Sequence, residues 1–454
     1  MKDLLHDRQG YLFTNVDLKK LLIPLMIEQL LTSLMGTVDT MMVSNISSAA
    51  ISAVSLVDSI NILVIQAFAA LAAGGAILCS QYIGHQNLKA ARHSARQLVY
   101  IITMISLVIT AICLIFRQPI LSLVFGKVED SVMDASLIYF FYTTLSFPAI
   151  AIYNAGASVY RAQKNSKLPM TISVISNFIN IFGNAILIWV VGMGVRGAAI
   201  ATLASRVFCA VVILMMLHRV NEPIRIDHFL KVKPDFSQIK KILMIGIPTG
   251  VENSMFQFGK LAIQSTVSTL GTTAIAAQAM TNILENLNGI AAIGVGIGMM
   301  TVVGQCIGAG KKDQAIYYIK KLSVIGEVVL LASCLIVFAL LRPVTMIGGM
   351  EAESARMCIE MVTAITIVKP IIWVFAFVPA YGMRAAGDVK FSMIVSCCTM
   401  WIFRVSMCIV LCRRFGFGPM GVWIAMFTDW FVRGVIFTFR FHSRKWLNHH
   451  VIEK

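Results

Sequence analysis

"IPLMIEQ" occupies residues 23–29 and "IPTGVEN" occupies residues 247–253. Each sets a glutamate four residues after a proline inside an apolar run, and Glu28 and Glu252 stand 224 residues apart. Sliding the first half of the chain by those 224 residues brings further points together. Pro24 meets Pro248, "AISA" (50–53) meets "AIAA" (274–277) and Gly74 meets Gly298. "QYIG" (81–84) meets "QCIG" (305–308), and "GMGVRGAAIAT" (192–202) meets "GFGPMGVWIAM" (416–426). At an offset of 223, "RAQKNSKLPM" (161–170) meets "RAAGDVKFSM" (384–393). Matches spread over a whole half in one register mark an internal duplication.

The repeated unit is a membrane unit. Of 454 residues, 58% are hydrophobic and 13% charged, against about 25% charged in a soluble domain. Apolar runs of about 20 residues fit helices crossing a hydrocarbon core of about 30 Å. The runs do not alternate as barrel strands do. Twelve spans are predicted, near 17–44, 50–82, 97–116, 135–157, 168–191, 197–218, 241–269, 273–306, 320–341, 357–382, 391–412 and 419–441. The fold class is an all-α polytopic membrane protein with two pseudo-symmetric six-helix lobes. An even number of spans per copy makes the repeat parallel, an arrangement of transporters with a site between the halves. The expected divisions are a cytoplasmic segment 1–16, an N-lobe 17–218, a linker 219–240, a C-lobe 241–441 and a tail 442–454.

The net charge of +16 lies in short loops, so it reads as topology rather than a nucleic-acid surface. "GHQNLKAARHSAR", "RAQKNSK", the central loop, "GAGKKDQA" and "RKWLNHH" are basic, whereas "SNISSAA" and "TLGTT" have no Lys or Arg. The positive-inside rule then puts both termini in the cytoplasm. The polar start "MKDLLHDRQG" is not followed by a short apolar core and an A-x-A site, so no cleavable signal is expected. The ten cysteines show no CxxC and lie mostly in apolar runs, as small hydrophobes do. The histidines fall near loops and tails, so neither a metal site nor a cofactor is expected. "GVGIGMM" (294–300) does not follow a strand and fails as a nucleotide loop. P-loop, HExxH and GxSxG motifs are missing from the sequence, which reads as a non-enzyme.

Taken together, "VDTMMVSNISSAAISAVS" (38–55), "QYIGHQN" (81–87), "QCIGAGKKDQA" (305–315), "NFINIFGNAILI" (177–188) and the two RA-x-x-[ND]-x-K segments resemble the multidrug and toxic compound extrusion (MATE) family. The resemblance covers about residues 15 to 440. It implies a bacterial, two-lobed antiporter in the inner membrane that exports organic, often cationic, compounds in exchange for Na⁺ or H⁺. Its partners would be the lipid bilayer and small organic cations or drugs, and it would act as a monomer.

Acids inside spans need a structural or functional reason, since insertion costs about 2.5–3.5 kcal/mol each. Asp39 matches the family's N-lobe cavity aspartate, with interhelical satisfaction as the other reading. Asn180 and Asn184, at i and i+4, share a helix face with Asn177 nearby. Family members often have an acid where Asn184 stands, which puts a two-acid N-lobe site in doubt. Thr202 matches a further polar member of that cluster. Glu252 matches the C-lobe cation acid. A carboxylate in a low-dielectric interior is readily protonated, and it could equally bind Na⁺ through oxygen. Glu28, its repeat mate, is either a second such acid or a solvated one near a helix start.

Lys369 is a departure, since the Na⁺-coupled members have an aspartate on this span. Beside Glu252 it would compete with Na⁺; snorkelling is the alternative. Lys260 poses the same question. Gln278, Asn282 and Glu285, at i, i+4 and i+7, form one helix face. By the repeat, Asp58 and Asn61 share it with Asn282 and Glu285. Acids facing a cavity would attract a cationic substrate; a wetted rim is the alternative. Asp429 and Arg433, at i and i+4, read with Arg404 as a buried structural network. A related flippase-like exporter of a lipid-linked or metabolite substrate is the alternative function. It would want a basic cavity, and the acids argue against it.

Overall fold

The computed structural model describes residues 10–44, 46–126, 128–219, 223–226, 233–347, 349–449 and 451–452, with the side chains of residues 34–37, 39, 40, 44, 48 and 347 left out. Among the described residues there is helix and no strand. The helices of the first half are α1 (Asn15–Ser44), α2 (Ser48–Gly84), α3 (Leu88–Ile115), α4 (Arg117–Phe125), α5 (Asp130–Leu145), α6 (Phe147–Ala162), α7 (Lys167–Asn184) and α8 (Gly194–Leu217). Those of the second are α9 (Phe236–Val267), α10 (Thr272–Gly308), α11 (Lys312–Ile347), α12 (Ala352–Ala385), α13 (Val389–Thr399), α14 (Met407–Arg413) and α15 (Met420–His442). Wider π turns extend α7 over Ala185–Val190 and join α13 to α14 over Met400–Ser406.

Among the described residues, nine helical runs are long and apolar enough to cross a membrane, or ten when the bent pair α5–α6 counts as one span. The remaining two of the twelve expected spans are α1 and α9. They contain Pro24 and Pro248, and the polar residues of α9, Glu252 among them, lower its hydropathy. Large apolar side chains cover the outside, among them Leu123, Val190, Met346 and Phe439. Such a surface is stable only where the solvent is lipid.

Three expected spans differ in extent. The third starts at Leu88 rather than near residue 97, with the Asn87 side chain accepting from the Ala90 N–H. The ninth starts at Lys312 rather than near residue 320. Basic first turns read as loop by hydropathy, yet a helix continues past the hydrocarbon. The 37 residues of α2 rise about 55 Å at about 1.5 Å each, well beyond a core of about 30 Å. The fourth span is bent by 41° between α5 and α6. Pro148, in the first turn of α6, cannot donate a backbone hydrogen bond to the turn before it.

The chain forms two compact units, and they are not the two sequence repeats: one is Leu31–Gly250, the other Met1–Leu30 with Val251–Lys454. The expected divisions at 17–218 and 241–441 follow the sequence repeat, whereas these units divide within α1 and α9. In the first unit α2 packs on α3, α5 and α6, and α8 on α5, α6 and α7; in the second α10 packs on α11 and α12, and α12 on α11 and α15. Close backbone contact explains the exchange of helix halves. A Cβ on Gly74 of α2 would lie 2.7 Å from the Ile242 carbonyl oxygen and 2.9 Å from the Gly246 nitrogen of α9. A Cβ on Gly294 of α10 would lie 3.0 Å from the Met26 backbone of α1, and one on Gly298 would strike Leu22. Shifted by 224, Gly74–Gly246 is Gly298–Leu22, so the same packing is made once in each unit.

In the Leu31–Gly250 unit, Asp235 caps α9 by accepting from the Ser237 and Gln238 N–H groups at 3.0 and 3.3 Å. His93 of α3 stands 2.8 Å from its other oxygen. That hydrogen bond, ahead of the backbone ones, holds the Asp235 carboxyl below the usual carboxylate range.

Candidate functional site

In the unit containing Val251–Lys454, Glu252 is buried in α9, and Arg384 at the end of α12 donates to its Oε1 at 2.6 Å. Arg384 also donates to the Ser392 hydroxyl at 3.1 Å. Glu252 Oε2 is buried with no hydrogen-bond partner. One carboxylate oxygen is therefore engaged and the other open to a proton or a cation. Glu28 is buried in the same unit, so the solvated reading does not apply to it.

Lys369 does not meet Glu252. Its ammonium donates to Glu285 Oε1 at 2.5 Å and to the Glu285 carbonyl at 2.9 Å. It lies between the rings of Trp373 and Trp430, 5.6 and 5.7 Å from their centroids. A lysine only 1% exposed is tolerated because a carboxylate and two π faces replace water. The cation expected beside Glu252 is thus Arg384, and Lys369 neutralises the acid expected to attract cations. Lower on the same α10 face, Gln278 donates to Asn282 at 3.2 Å and accepts from the Trp423 indole at 3.0 Å. The Asp429–Arg433 pair forms at 3.0 Å, with Arg404 at 3.9 Å.

In the Leu31–Gly250 unit, Asn184 donates to Asn180 at 3.1 Å and Asn180 donates to the Thr202 hydroxyl of α8 at 3.3 Å. The first π turn begins just after Asn184. Widened turns of this kind recur at functional sites. Asn177 is half-buried, one turn earlier, and takes no part in this chain of bonds. The Asp39 side chain lies outside the described residues. Asp58 accepts from Asn61 at 3.1 Å and from the Tyr139 hydroxyl at 3.4 Å, with the Arg206 charge in range. Neither Asp58 nor Glu285 is therefore a bare acid.

Arg384 and Arg206 are the residues the sequence reading missed. Arg384 opens the repeated RA-x-x-[ND]-x-K segment, and its recurrence at a span end was the available signal. Arg206 stands in an apolar run with nothing to mark its contact with Ser146, 2.8 Å away.

The comparisons with known proteins agree with the duplication. A family model described as MatE matches residues 24–186 and again residues 248–410, each end displaced by 224. The probable multidrug resistance protein NorM of Thermotoga maritima is 26% identical over 443 residues, 95% of this chain and 92% of that protein. The uncharacterized transporter YisQ of Bacillus subtilis is 25% identical over 432 residues, 93% of each. A solved outward-facing multidrug resistance MATE family transporter of the MOP superfamily superposes with a TM-score of 0.88 at 19% identity, covering 94% of this chain and 95% of that one. Because one model matches both halves and the fold is shared along nearly the whole length, this multi-pass membrane chain belongs to the MatE family of transporters.

Proposed function

We propose that the chain is a secondary active efflux antiporter that exports organic compounds and takes up one H⁺ per cycle at Glu252. It works as a monomer in the inner (cytoplasmic) membrane with both termini in the cytoplasm. The observation that carries the choice of ion is the Glu252–Arg384 contact at 2.6 Å, with Glu252 Oε2 buried and unpartnered. A proton needs one oxygen. A hard metal cation takes several, and the guanidinium already occupies one of the two that Glu252 offers. Asp39 and the Asn180–Asn184–Thr202 chain are the corresponding polar groups of the other unit. The relatives named for multidrug resistance support export of varied organic compounds.

The energetics allow one proton to suffice. One charge moving down about 150 mV releases about 3.5 kcal/mol, and a hundredfold gradient of a neutral solute costs about 2.8 kcal/mol. Inside-out vesicles supplied separately with a pH and a Na⁺ gradient test this, with uptake of ethidium and a fluoroquinolone as readouts. The pH gradient alone is expected to drive uptake, and Glu252→Gln to abolish it. If neither gradient moves any probe, the antiporter reading fails. Transport at the wild-type rate in both Glu252→Gln and Asp39→Asn would show that the carboxylates are misassigned.

A further inference from the structure

In the unit containing Val251–Lys454, Lys260, Glu285, Lys369, Arg404, Asp429 and Arg433 act on one another as a single electrostatic cluster. Four are basic and two acidic. Each acid is already engaged by a base, Glu285 by Lys369 at 2.5 Å and Asp429 by Arg433 at 3.0 Å. Arg404 stands at the limit of an ion pair, 3.9 Å from Asp429. Among the described residues Lys260 has neither an ion pair nor a hydrogen bond. These two cations share one ring: the Lys260 ammonium and the Arg404 guanidinium each lie 5.1 Å from the Phe256 centroid.

The Lys260 side chain is exposed, and the Glu285 side chain that pairs with Lys369 is 20% exposed. Lys260 and Phe256, at i and i+4, share one face of α9. An excess of cations in this cluster calls for a ligand that brings negative charge and acceptors.

We propose that this face of α9 binds an anionic oxygen group, carboxylate or phosphate, on an apolar body that packs on Phe256, with Lys260 as its ionic contact and Arg404 at the same ring. Binding stands on this geometry alone; export of such a compound rests on the antiporter reading above. Lys260 is exposed and outside the ion pairs, so its replacement leaves the fold intact, which an unchanged unfolding temperature verifies.

The test is fluorescence polarisation of fluorescein on the purified full-length protein, with ethidium as the cationic reference. The wild type is expected to bind fluorescein more tightly than ethidium. Removing one ionic contact in Lys260→Gln is expected to weaken fluorescein about tenfold. Lys260→Arg retains binding, and Lys260→Glu reverses the preference. Competition separates the two sources of the anion: displacement by benzoate assigns a free carboxylate, and displacement by dihexanoyl phosphatidic acid assigns a lipid phosphate. Equal fluorescein affinity in wild type and Lys260→Gln overturns the proposal, as does tighter ethidium binding that Lys260→Glu leaves unchanged. Ethidium export without fluorescein binding sinks this inference and spares the antiporter. Fluorescein binding without transport of any probe does the reverse.

Discussion

At the scale of single residues, a buried charge is decided by which partner its side chain reaches. Removing one member of a buried pair leaves the other unsolvated and costs about 3–5 kcal/mol. Lys369→Met is therefore expected to lower the unfolding temperature in detergent markedly, by stranding Glu285. The double variant Lys369→Met with Glu285→Gln is expected to recover most of the loss, and a loss that stays additive in the double variant would rule out the pair. Lys369 was legible in the sequence as a departure, but its partner was not. Glu285 is 84 positions away on another helix, and helix rotation chose it over Glu252. Glu252 was legible from its repeat mate, whereas the guanidinium beside it became visible only when the end of α12 was seen next to α9. For Asn180 and Asn184 the i, i+4 spacing was enough, because local helix geometry alone brings them together.

At the scale of elements, helix–helix distance depends on a few glycines. The Gly74 position faces backbone, which cannot rotate away, so Gly74→Ala is expected to destabilise by about 1–3 kcal/mol through overpacking. Gly192, with nothing near its Cβ position but a φ of +74°, makes a useful contrast: alanine there strains a turn rather than a packing contact. Thermal unfolding followed by tryptophan fluorescence compares the two. The α9 cap has its own pH signature. The Asp235 carboxyl is held below its usual range, so its contribution to stability is present above the unfolded value, about pH 3.9. It is lost as pH falls through the lower folded value. Asp235→Asn removes that acid limb. Hydrogen exchange at the start of α9 is expected to rise below about pH 4 in the wild type and to be already raised, with a flatter profile, in the variant. Hydropathy located the spans but misjudged their ends, because Lys and Arg in a first turn leave the helix unbroken. It also missed the α5–α6 bend, although Pro148 was there to suggest it.

At the scale of the whole molecule, the division into units crosses the division into repeats. Since Met1–Leu30 belongs with Val251–Lys454, and residues 236–250 with Leu31–Gly250, neither sequence half holds a complete unit. Cutting the chain after residue 228 and coexpressing the pieces is expected to give fragments that copurify. Each piece made alone should aggregate or be degraded. Independent folding of the second fragment, with a cooperative unfolding transition of its own, would contradict this.

The membrane class, the duplication of a six-span unit and the family were all legible in the chain itself. All three follow from composition, period and register, which a linear chain displays without folding. Tertiary structure alone decided which copy owns which helix half, which base neutralises which acid, and that the cluster around Phe256 has more cations than anions. Those outcomes depend on close approach between helices far apart in sequence, at glycines that admit a neighbouring backbone, and on side chains a few ångströms long that reach one partner and miss the next.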